Sequence, residues 1–221
     1  MLQALFLKEW IKVRKVWFLI LALNLAALLY LYLGMRHQFH NEHSEMIWYW
    51  SFELRRILYG DVKYLAVLSG GAIAAAQFLP EMVNNRFRLS FHLPVRADIQ
   101  VWSWVGIGAA LGAVIAFIIA IGLFCIVTLW FPFEAGVSAV LTAAPWLLAG
   151  WVAYFSVALV MLEPQPVKRV AYALLGCAFL GLLYNERGYQ EYDQILPVLI
   201  AAAMLFPASV IYPAYRYRHR S

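Results

Sequence analysis

Uninterrupted apolar runs dominate this chain, several of them longer than the roughly 18 residues that a membrane crossing needs. Hydrocarbon offers no hydrogen-bond partners, so a segment inside it must satisfy its own backbone, as a helix or within a closed barrel. Barrel strands alternate apolar and polar residues; these runs do not alternate, which leaves helices. Composition agrees: 64% of the 221 residues are hydrophobic, 13% are charged, and the mean hydropathy is +0.72. A water-soluble domain carries roughly 25% charged residues, and one this apolar would present aggregation-prone surface. The chain therefore reads as an all-α polytopic membrane bundle, one domain without a soluble module or an internal repeat.

Six spans are predicted, over residues 16–35, 57–79, 101–131, 137–162, 170–184 and 195–215. Ahead of them, residues 1–15 read as an amphipathic interfacial helix. Lys8, Lys12 and Lys15 recur at helical spacing, with Glu9 and Arg14 nearby, and Leu2, Leu5, Phe6, Trp10 and Val13 supply the apolar face. A basic amphipathic helix with a Trp lies in the headgroup plane. It does not read as a cleavable signal, because its apolar continuation is too long and no small-residue cleavage site precedes a soluble domain. Pro80 is expected to close span two, and Pro132 marks the turn after span three. Glu163-Pro164-Gln165-Pro166 makes a short, stiff connection. Trp48, Tyr49 and Trp50, with Tyr30, Tyr32, Trp102 and Trp104, read as interfacial aromatics.

Charge placement sets the expected orientation. With both ends in the cytoplasm, Lys8, Lys12, Arg14, Lys15, Arg86, Arg88, Arg96, Lys168, Arg169, Arg216, Arg218 and Arg220 fall inside, 12 of the 17 basic residues. Only Arg36, Arg55, Arg56, Lys63 and Arg187 fall outside, together with eight of the twelve acids. This asymmetry fits the positive-inside rule and an even number of spans. The same rule accounts for the net charge of +5 and pI near 9.2 without nucleic acid as a partner. Cys125 and Cys177 both fall in spans and read as small packing residues.

Few constellations carry chemistry. Gly108, Gly112, Ala116 and Ala120 form a small-residue stripe on the third span, the pattern that lets helices approach closely in lipid. Its roles divide between packing inside the bundle and a dimer or pore-lining surface. His37, His40 and His43, beside Glu42 and Glu45, offer metal-ligating side chains. Three residues at successive i+3 steps drift around a helix, so only neighbouring pairs could chelate, and a solvated polar loop is the simpler reading. Asp61 and Lys63 lie near the outer end of span two, where ionisable groups draw attention; snorkelling or pairing with Arg55, Arg56 or Glu53 explains them equally well. H-E-x-x-H, G-x-S-x-G and G-x-x-x-x-G-K-[ST] are all absent, so the chain is not read as an enzyme and needs no cofactor of its own.

The segment after span two is the most informative. Glu81 is followed by Arg86-Phe87-Arg88, then by Phe91 and Leu93-Pro94-Val95-Arg96. This order resembles the first cytoplasmic loop of ABC-2 type transporter permeases, in which a Glu after span two precedes a basic residue and a Leu-Pro-Val/Leu-Ser/Arg signature. Phe6-Leu7-Lys8-Glu9-Trp10-Ile11-Lys12-Val13-Arg14-Lys15 is similar to the same family's interfacial helix. The resemblance implies a coupling helix within residues 81–100 that docks on a separate ATP-binding-cassette ATPase subunit. Arg86, Arg88 and Arg96 would meet its acidic residues and Phe87, Phe91 and Leu93 its apolar floor, with Pro94 ending the helix. ATP and Mg would be bound by that partner, and a second permease chain, identical or not, would complete the transporter. A bacterial inner membrane and export are implied in the same way. The outer segment before span six, residues 185–194, is shorter than the family's, and the one between spans one and two is longer.

A non-transporting membrane scaffold or assembly factor is the alternative; it shares the bundle but has no need of a basic docking loop. A secondary transporter or intramembrane enzyme would place ionisable groups near the bilayer midplane, where these spans have almost none.

Overall fold

The computed structural model describes residues 2–83, 97–185, 188–210 and 212–213, and the regular structure within them is helical. Helix α1 (Leu2–Asn41) is one unbroken helix of 40 residues, about 60 Å long at 1.5 Å per residue. The sequence predicts an interfacial helix over 1–15 and a separate span over 16–35; a single helix carries both. Its range holds no Pro and a single glycine, Gly34, so the backbone has nothing that forces a corner near residue 15. The face bearing Glu9 and Val13 is buried, at 1% and 0% exposure. Against a hydrocarbon layer of about 30 Å, α1 is long enough to cross and to project well beyond it.

A short helix α2 (Ser44–Phe52) and a 3-10 turn (Gly60–Val62) precede α3 (Leu65–Val83). The first residues of the predicted span 57–79 are therefore turn, and the α-helix begins at Leu65. Pro80 does not close α3, which runs on to Val83. A proline removes one backbone bond, and neighbouring groups in a membrane bundle re-satisfy the freed carbonyl.

Helix α4 (Ala97–Thr128) stops short of the predicted residue 131. There the Thr128 hydroxyl donates to the carbonyls of Phe124 (2.9 Å) and Cys125 (3.1 Å), back-bonding that competes with the helical ladder. Helix α5 (Phe133–Leu162) starts directly after Pro132, and α6 (Pro166–Leu183) opens on Pro166, where a missing N–H costs nothing. The Arg169 guanidinium reaches back to the Glu163 carbonyl at 2.9 Å and caps the end of α5.

Among the described residues of the predicted sixth span, 195–215, two short helices follow one another, α7 (Leu196–Ala203) and α8 (Leu205–Ser209), with a break at Met204. Pro207 lacks the N–H that would bond the Ala203 carbonyl, and its ring crowds that carbonyl. Among the described residues, five helical segments are long and apolar enough to cross a membrane: Phe6–Asn41, Gly60–Met82, Gln100–Thr128, Phe133–Leu162 and Pro166–Leu183. The Leu196–Ser209 segment, about 21 Å at helical rise, is shorter than the hydrocarbon is thick.

Helix α5 is the centre of the bundle. In its most apolar stretch 67% of residues are buried, against 11% in α6, which lies on the outside. It packs most extensively on α3, then on α4 and α6, while α1 lies across α4 and α3. The α3–α5 crossing is close because Ala66, Gly70 and Gly150 meet there. A Cβ on Gly70 would run into the Gly150 carbonyl, and one on Gly150 would sit 2.7 Å from the Ala66 carbonyl oxygen. Outward faces stay apolar, as at Leu19, Leu23, Phe117 and Leu174, which suits lipid and not water.

Candidate functional site

The ends of α1 and α3 enclose a charged cluster that no single stretch of sequence announces. On α1, Lys8, Glu9 and Lys12 occupy neighbouring helical positions; on α3, Gln77 and Glu81 are one turn apart and share a face. Lys12 Nζ lies between both carboxylates, 2.9 Å from Glu9 Oε1 and 3.0 Å from Glu81 Oε1. Lys8 Nζ approaches Glu81 Oε1 at 3.1 Å and stands 5.7 Å from the Trp104 ring centroid. Two cations thus balance two anions. Glu9 and Glu81 are buried at 1% and 6% exposure, and such carboxylates stay charged at tolerable cost only when paired and hydrogen-bonded.

A neutral network continues this cluster into the core. Gln77, fully buried, donates through Nε2 to Glu9 Oε2 (3.0 Å) and to the Trp104 carbonyl (2.8 Å). Its Oε1 accepts from the Tyr154 hydroxyl at 2.8 Å, and that hydroxyl lies 3.3 Å from the Val105 carbonyl. Gln77 therefore ties α1, α4 and α5 to α3 through one side chain. Gly108 makes the space: a Cβ there would collide with the Tyr154 hydroxyl and Gln77 Oε1. Deeper along α1, Asn24 Nδ2 donates to Ser69 Oγ on α3 at 2.9 Å and to its own Ile20 carbonyl at 2.8 Å.

The structure unites residues that the sequence assigns to separate places. Glu81, expected in the coupling loop, and Lys8 and Lys12, expected on an interfacial helix, are direct partners. Lys15 is exposed, and Trp10 packs at a tilt on Trp17 and edgewise on Phe18. Arg86, Phe87, Arg88, Phe91, Leu93, Pro94 and Arg96 lie outside the described residues. The small-residue stripe divides: Gly108 accommodates the polar network, Gly112 has no atom near its missing Cβ, and Gly112, Ala116 and Ala120 line an apolar groove between α4, α5 and α7.

The sequence names Glu9 without giving it a role, and Gln77, Tyr154 and Asn24 were overlooked. Their one signal is a lone polar residue within or beside an apolar run, in register with a second on another helix. Among the described residues, no group of three His, Cys, Asp or Glu could hold a metal ion; His37 contacts Asn41 Nδ2 at 2.8 Å instead. Lys63 lies over the Trp146 and Tyr184 rings at 5.7 and 5.6 Å, and among the described residues Asp61 makes no ion pair with Arg55 or Arg56.

Chemically, the cluster is a clamp. Glu81 sits in the last turn of α3, three residues before residue 84, so displacing this end from α1 separates buried charges. Comparison with known proteins finds no matching family model, no matching curated protein and no matching solved structure.

Proposed function

We propose that this chain is the transmembrane permease subunit of an ATP-binding-cassette exporter, driven by a separate ATPase subunit that docks on residues 81–100. The observation that carries this reading is the clamp of Lys8, Glu9 and Lys12 on Glu81, at the root of the segment holding Arg86, Arg88 and Leu93-Pro94-Val95-Arg96. Force applied to that segment by a docked ATPase passes through Glu81 to α1 and through Gln77 to α4 and α5. A loop that moved freely of the bundle could not transmit such work. In this scheme ATP and Mg stay with the ATPase, a second permease chain faces this one, and both termini are cytoplasmic in a bacterial inner membrane.

Purification from the native membrane in mild detergent, with mass spectrometry of what accompanies the chain and an ATP-hydrolysis assay, tests the proposal. A co-purifying ATP-binding subunit is expected, and the double variant Arg86→Glu/Arg88→Glu is expected to lose it while staying folded. An intact chain with no ATP-binding partner would favour the membrane scaffold instead.

A further inference from the structure

At the opposite end of the bundle from the clamp lies a cavity of about 270 Å³, between the end of α1, the segment after α2, the α4–α5 turn and residues 189–190. Its inner wall is apolar, with Met35, Val127 and Phe131 buried at 2%, 4% and 8% exposure. Its rim is polar and holds one formal charge, Arg55. Two other cations at this end are engaged with rings: Arg56 lies 5.9 Å from the Trp50 ring centroid, and Lys63 lies over Trp146 and Tyr184. Arg55 makes no ion pair among the described residues.

Backbone conformation gives an independent sign. Among the described residues, the two non-glycine positions with positive φ are Arg55 (50°) and Gln190 (54°), and both line this cavity. Such conformations are uncommon for side-chain-bearing residues and gather at ligand sites when the surroundings hold them. Here the surroundings do: the Gln190 N–H donates to Thr142 Oγ1 at 3.2 Å, and the Tyr189 hydroxyl donates to the Arg56 carbonyl at 2.8 Å.

We infer that this cavity binds a small amphipathic anion, its carboxylate on the Arg55 guanidinium and its apolar body against Met35 and Phe131. Guanidinium suits a carboxylate because its N–H fork matches the two oxygens. An apolar cavity of roughly 150 Å³ holds benzene, so the larger volume here suits one ring with a short chain, about a dozen heavy atoms. The inference is independent of the transport function proposed above.

Isothermal titration calorimetry of the full chain in phosphatidylcholine nanodiscs tests it, with 4-phenylbutyrate as the probe and 4-phenylbutylamine as its cationic counterpart. Saturable binding of the carboxylate is expected, at least tenfold tighter than the amine. Arg55→Gln, at an exposed position, should weaken carboxylate binding tenfold or more with an unchanged melting temperature, and Ala135→Leu should abolish it by filling the cavity. Equal affinity for both probes, equal affinity in both variants (partition into lipid only), or no saturable heat at millimolar probe would each overturn the assignment.

Discussion

Lys12 is the residue on which the clamp depends. Lys12→Met leaves Glu9 and Glu81 buried with only the half-exposed Lys8 to balance them. Removing one member of a buried pair costs about 3–5 kcal/mol, so the melting temperature in detergent should fall clearly. Lys12→Met/Glu81→Gln should recover part of that loss, as coupled partners do in a double-mutant cycle. Tyr154→Phe strands Gln77 Oε1 in the core and should cost about 1–3 kcal/mol, read by the same melts. Tyr189, outside the spans, has its hydroxyl pushed above the ordinary phenol range by burial. The folded protein then keeps this proton where the unfolded chain has lost it. Stability is unaffected below about pH 10, the phenol's unperturbed value, and falls as pH rises beyond it. Tyr189→Phe should therefore show a shallower alkaline loss in a pH series of melts. These residues were only partly legible. Lys8 and Lys12 were marked by their spacing, but the same spacing suits a solvated face, and only the packing of α3 on α1 turns that face inward.

Among the elements, the α3–α5 crossing is the tightest joint, and its small residues are not the ones that periodicity picks out. The stripe on α4 is regular at four-residue spacing, yet Gly112 has open space where its side chain would be. Ala66 and Gly70 on α3, meeting Gly150 on α5, make the backbone contact instead. Gly150→Val should force the helices apart at a cost on the order of 1–3 kcal/mol, whereas Gly112→Ala should leave the melting temperature nearly unchanged. Close approach depends on which faces meet, and one sequence records residue size without recording the neighbour. Helix ends show the same division. Pro166 and Pro132 were legible as boundaries because their position at a helix start is favourable, while Pro80 and Pro145 lie inside helices that continue past them. Asn24 joins α1 to α3 by a polar contact inside the apolar region; Asn24→Leu should destabilise by roughly 0.6–2 kcal/mol, measured by unfolding in mixed micelles.

For the molecule as a whole, apolar residues lie on both the inside and the outside, and this combination is what places it in a bilayer. Cys125 and Cys177 are both exposed on apolar helices. A charged maleimide, which does not enter hydrocarbon, should fail to label either in intact membranes and should label both after denaturation in detergent, as followed by mass shift. The exclusion of a barrel, the all-helical class and the existence of long spans follow from continuous hydrophobicity, since lipid leaves an unpaired backbone no alternative. The run of apolar residues over 195–215 also met the length rule, but backbone continuity is a separate condition, and the described part of the run is interrupted at Met204, three residues before Pro207.

Lipid as solvent, helices as the spanning form and the approximate limits of α4, α5 and α6 were determined by the amino-acid sequence alone, because each depends on local hydrophobicity and backbone bonding. Tertiary structure decided that α5 is the centre and α6 the periphery. It decided that residues 2–15 continue the first span, and that Lys8, Glu9, Lys12, Gln77, Glu81 and Tyr154 form one network. Those outcomes depend on which helix faces meet, and charges distant in sequence become partners only when packing removes the water between them.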